Sequence, residues 1–94
     1  MTVFMIGYDL YHKDGAAYDN LEEAIKSLGS WWHCLDSTWL VNITSNKDAG
    51  TIRDALNAHL GKGDKLLVMK VATPTNWASW NLPDNCNQWL KDNA

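Results

Sequence analysis

The segment from Gly29 to Val41 carries most of the side chains in this chain that can do chemistry: Trp31, Trp32, His33, Cys34, Asp36, Ser37 and Trp39. A histidine and an aspartate three residues apart can serve as a general base and its orienting partner. A thiol beside a histidine suggests a nucleophile. Neighbours in an extended strand point to opposite faces, so His33 and Cys34 diverge there. A packed histidine, a buried thiol and a turn aspartate is therefore the preferred reading. Trp31, Trp32 and Trp39 can stack bases. Without flanking arginines they fit a core or a subunit interface better. Outside the segment, Asp9 closes an apolar run and can bind Mg²⁺ through its carboxylate or cap a turn through the local backbone. His12 lies in a polar turn and His59 on the apolar side of a predicted helix, as a half-buried packing residue. Neither has zinc-ligand spacing. Gly61-Lys62-Gly63 lacks phosphate-loop spacing and reads as a helix stop and turn.

These residues need elements to hold them. Residues 2–10 are rich in β-branched and aromatic types and predict a strand, with Gly7 marking a bulge or a close backbone approach. Tyr18, Leu21, Ala24, Ile25 and Leu28 recur at helical spacing and predict a helix over 16–28 that stops at Gly29. Trp31–Leu35 and Thr38–Thr44 read as two strands of a hairpin or one bent strand. Ser45 with Asp48 three positions on resembles a helix cap. Ile52, Ala55, Leu56, His59 and Leu60 give the second helix its apolar face. Leu66–Val71 is apolar enough to predict a central strand. A tail follows Thr73-Pro74, with Trp77, Trp80 and Trp89, and Pro83-Asp84 can open a short helix to about Lys91. The order is βαββαβ, an α+β ferredoxin-like plan over residues 1–73. The Trp-rich C-terminal extension, 74–94, is expected to pack on the domain or on a partner subunit.

With 94 residues, the chain suits one domain. Six tryptophans are more than a domain this size hides easily, which predicts that some meet a second copy. A net charge of −3 and a single arginine, Arg53, argue against a dedicated DNA-coating protein, although net charge leaves a local basic patch open. Cys34 and Cys86 lie far apart with no Cys-x-x-Cys pair, so reduced thiols are expected. Val3–Ile6 is too short for a signal segment, and no run approaches a membrane span. A soluble, cytoplasmic protein with no membrane partner is the expectation.

The βαββαβ order, Tyr8-Asp9 at the end of the first strand and the strand pair carrying Ser37 resemble the CRISPR-associated spacer-acquisition subunit family, "Cas-two" in words. Tyr8-Asp9-Leu10, Ala24-Ile25-Lys26-Ser27-Leu28-Gly29, Trp31-Trp32-His33 and Leu35-Asp36-Ser37-Thr38-Trp39 are more similar still to the short SinR-like proteins found outside CRISPR loci. The likeness covers about residues 3–72. It implies a ferredoxin-like homodimer in which Asp9 of each copy faces its mate and shares a divalent metal, with Ser37 beside it. Two departures stand out: no basic residue follows Tyr8-Asp9, and Asp36-Ser37 replaces a glutamine-serine pair.

Together with the acidic balance, these departures favour a non-enzymatic homodimeric binding or scaffold module. Its ligand is expected to be a nucleotide, nucleic acid or protein, with Trp31, Trp32, His33 and Trp39 as binding residues. The alternative is a metal-dependent endonuclease acting on RNA or DNA through paired Asp9 with Mg²⁺, Ser37 orienting phosphate.

Overall fold

The computed structural model describes residues 1–11 and 15–94, so the turn expected at His12-Lys13-Asp14 lies outside the described residues. The first strand, β1 (Thr2–Asp9), alternates side chains between two faces. Phe4, Ile6 and Tyr8 are buried on one of them. Helix α1 (Gly15–Lys26) and helix α2 (Ala49–Asn57) lay Leu21, Ile25, Ile52 and Leu56 against these residues. Strand β2 (Ser30–Leu35) and strand β3 (Thr38–Ile43) form an antiparallel hairpin about Asp36-Ser37. Strand β4 (Lys65–Val71) completes a four-stranded antiparallel sheet ordered β2-β3-β1-β4. A third helix, α3 (Asp84–Asn93), closes the chain.

The side chains at paired positions of antiparallel strands share a face. Trp39, Val41 and Ile43 of β3 therefore join Ile6, Phe4 and Thr2 of β1 under the helices. The opposite face is divided. Over β2 and β3, α3 and the preceding tail cover it: Cys86 and Leu90 pack on Trp32, with Leu40, Trp77, Leu82 and Trp89 around them. Asn42 is buried there, and its side-chain amide donates to Asn93 Oδ1 at 2.8 Å. Over β1 and β4, Met5 and Val71 are half-buried, and Leu67 and Met69 are 54% and 49% exposed.

Three local expectations are corrected. β4 is an edge strand, not a central one: its apolar run suits burial on two faces, and only Leu66 and Val68 reach the core. β1 pairs in unbroken register through Gly7, and a Cβ at Gly7 would meet nothing within 4 Å. The close approach belongs to Gly29, where a Cβ would overlap the Asn42 backbone carbonyl oxygen. The cap of α2 is Asp48, whose carboxylate accepts the Thr51 N–H at 2.8 Å. Ser45 is not that cap. The Thr51 backbone N–H holds the Asp48 carboxyl below the usual aspartate range.

Because the obstacle at Gly29 is backbone, it cannot swing aside. Gly29→Ala is expected to destabilise the fold by about 1–3 kcal/mol, the usual cost of overpacking. Urea denaturation measures it, and a change below ~0.5 kcal/mol would mean that the α1–β2 junction yields freely.

Candidate functional site

The tryptophan segment is split by its own strands. Trp39 is wholly buried (0% exposed) in the helix-side core. Its indole N–H donates to the Tyr8 hydroxyl at 3.2 Å. Burial pushes the Tyr8 phenol above its ordinary pKa, while the Trp39 N–H donated to its oxygen works the other way. His33 stacks on Trp39 with ring centroids 3.8 Å apart. His33 Nε2 lies 3.0 Å from the Asp36 backbone carbonyl, and Nδ1 lies 3.8 Å from a Glu22 carboxylate oxygen. The carboxylate beside the imidazole is thus that of Glu22, on α1, whose place in the sequence gives no sign of this contact. Asp36 contributes its main chain.

Alternation along β2 sends His33 and Cys34 to opposite faces, as their adjacency in a strand implies. His33 stays with Trp39, while Cys34 reaches α3 and forms a disulfide with Cys86, with Cα atoms 6.3 Å apart and 52 residues between them in sequence. The expectation of two reduced thiols is thereby corrected: both cysteines are oxidised in one bridge. Spacing hid the pair: the two cysteines meet only because the tail folds back over β2. Trp32, on the tail side, donates its indole N–H to the Cys86 carbonyl at 3.1 Å.

These contacts build a groove of 300 Å³ at the free edge of β2. One wall is Trp31, Trp32, His33 and Cys34; the other is Pro83, Asn85, Cys86 and Trp89. Three of the four expected binding residues meet here, and Trp39 does not. Trp89 and Asn85 had no signal beyond membership of the tail. Trp31 is 43% exposed, tilted against Trp39 at 5.4 Å, with Lys26 Nζ 5.1 Å from its ring centre.

Asp9 and Ser37 come to one end of the sheet, with the Tyr8 N–H donating to the Ser37 carbonyl at 3.2 Å. Asp9 is exposed and pairs across the strands with Lys65. The neighbouring Asp64 carboxylate accepts the Tyr11 and Gly61 N–H groups, each at 2.7 Å. In a single copy Asp9 is thus one carboxylate opposite a lysine, a donor set that does not suit Mg²⁺ by itself. Among the described residues, no three His, Cys, Asp or Glu side chains gather at metal-binding distance. His59 follows α2 and is exposed, not half-buried; its helix ends at Asn57, one turn earlier than the apolar pattern suggests.

Among the described residues, no helix is long and apolar enough to cross a membrane. No family model, no curated protein and no solved structure matches the chain.

Proposed function

We propose that the protein is a homodimeric, non-enzymatic binding module of ferredoxin-like plan, similar to the Cas-two family and joined through the open half of its sheet. The observation that carries this reading is the exposure of Leu67 and Met69, 54% and 49%, on a strand whose composition suits burial on two faces. Met5 and Val71 extend the same surface. Trp80 is 91% exposed and belongs to the tail that covers the other half of this sheet face. Apolar surface gathered on one face favours coverage by another chain, and a two-fold axis lets one patch cover its own copy. Lys65 and Lys70 sit on the edge strand, a placement that discourages edge-to-edge pairing. The face, not the edge, is therefore the joining surface. In support of the ferredoxin-like plan, α1 and α2 pack on one face, and the strand order from the other edge is β4-β1-β3-β2.

The test is to place a charge on this face. Leu67→Lys and Met69→Lys are each expected to yield monomers in light scattering after size exclusion, with unchanged far-ultraviolet circular dichroism. Dimers that persist in both variants would move the interface elsewhere.

A second reading, an endonuclease with Asp9 paired across the dimer, draws on Asp9 being exposed at the end of the same face as Met5. Either way, Asp9→Ala is expected to leave folding and dimerisation intact. Collapse of the dimer on that change would make Asp9 a structural residue. Nuclease assays with Mn²⁺, unmodified protein against Asp9→Ala, separate the readings: metal-dependent cleavage lost in the variant would replace the binding module with the enzyme.

A further inference from the structure

We propose that the groove between β2 and α3 binds one uncharged planar heterocycle of the nucleobase class, stacked on the indoles of Trp31 and Trp89, and that the Cys34–Cys86 bridge holds its walls together. This rests on the protein being a binding module, but not on its being a dimer.

Three of the six indoles donate within the protein. Trp32 donates to the Cys86 carbonyl, Trp39 to the Tyr8 hydroxyl, and Trp89 to Ser30 Oγ at 3.0 Å. Among the described residues, the indole N–H groups of Trp31, Trp77 and Trp80 have no protein partner, and of these three tryptophans Trp31 is the one that lines this groove. Asn85, exposed on the facing wall, adds an amide with both donors and an acceptor. Aromatic faces with a few edge-directed polar groups match a planar ring that carries its own donors and acceptors.

Charge selects the class. Among the described residues that line the groove, His33 alone can carry a charge. Lys26, over Trp31, is matched by Glu23 at 3.7 Å, and the chain carries a net −3. A phosphate backbone finds little here to replace its counterions. A neutral ring loses nothing by that. The volume, 300 Å³, is at the small end for ligand pockets and suits one ring system with its sugar, not a run of stacked bases.

The bridge ties one wall to the other. Cys86 is buried and Cys34 half-buried, so a reducing dithiol meets Cys34 first. Its thiolate forms a bond to Cys34 Sγ and expels Cys86 as a thiolate, which takes up a proton. The second thiol of the reagent then displaces Cys34. Two electrons and two protons pass to the protein, and the reagent leaves as a cyclic disulfide. Trp89 and Asn85 are then held to β2 only by non-covalent contacts.

Isothermal titration of the oxidised protein with adenosine and with uridine tests the site. Saturable binding is expected, weakened about tenfold in Trp31→Ala and in Trp89→Ala, as loss of one stacking partner implies. Dithiothreitol is expected to weaken it several-fold as well. If reduction unfolds the protein, Trp89→Ala still decides, because it leaves both cysteines in place. A single-stranded oligodeoxyadenylate distinguishes the sources. Binding no tighter per site than adenosine identifies free nucleosides; tighter binding that falls as salt rises identifies a strand. No saturable binding at millimolar nucleoside, or equal binding in both tryptophan variants, overturns the site. Equal binding after verified reduction overturns the role of the bridge. Light scattering on the same samples reads the dimer separately, so failure of the groove and failure of the sheet interface are not confused.

Discussion

Trp39→Ala is expected to cost about 3–5 kcal/mol, the range seen when a large buried aromatic is truncated. Trp39 has no exposed surface, its ring stacks on His33 at 3.8 Å, and its N–H is bonded to Tyr8. Truncation removes the ring from the sheet–helix core, leaves a cavity between β3 and α1, and deprives the Tyr8 oxygen of its donor. Domains of this size are stable by only about 5–15 kcal/mol, so the variant is expected to be substantially unfolded at modest urea concentrations. Trp39→Phe retains much of the ring volume and is expected to fall between. The urea midpoint measures both. A loss under ~1 kcal/mol for Trp39→Ala would contradict its place in the core.

Opening the Cys34–Cys86 bridge is expected to have an effect of similar size from a different origin. The bridge closes a loop across 52 residues of sequence separation. Constraining a loop of that length in the unfolded chain stabilises the folded state by about 4 kcal/mol in the chain-entropy account. The double variant Cys34→Ser with Cys86→Ser is expected to lower the urea midpoint accordingly, and dithiothreitol is expected to do the same to the unmodified protein. The first contacts to loosen are those of α3 with β2, since Cys86 and Leu90 hold the helix to Trp32. Hydrogen exchange is then expected to rise in residues 84–93 before it rises in β1. Equal stability with and without the bridge, once free thiols are counted, would contradict its structural role.

The contrast between Trp39 and Trp31 also marks what the sequence makes legible. The period of α1 was readable because Leu21 and Ile25 fall one turn apart and both reach the core. The hairpin was readable as one of two alternatives, because Asp36-Ser37 interrupts a run of β-formers. Which tryptophan faces the core was not readable. Trp31 and Trp39 share the helix side, yet Trp39 sits in a central strand and Trp31 on an edge. That difference comes from strand order, which local pattern does not encode. The disulfide was hidden for the same reason, since only the return of the tail over β2 brings Cys86 to Cys34. β4 misled through its composition: an apolar strand normally implies two covered faces, and here Leu66 and Val68 are covered while Leu67 and Met69 are exposed. The groove was half legible, since β2 was singled out while its other wall, Pro83 to Trp89, offered only tryptophan content. His33 and Asp36 suggested a base and its orienter, but the fold puts Glu22 at the imidazole instead.

Sedimentation equilibrium of the unmodified, oxidised protein measures whether the uncovered face of β1 and β4 joins two copies. A mass twice that of the 10.6 kDa chain is expected at micromolar concentration. A mass of 10.6 kDa maintained as the concentration is raised to near-millimolar would contradict it, and would leave Leu67 and Met69 exposed in the working form of the protein.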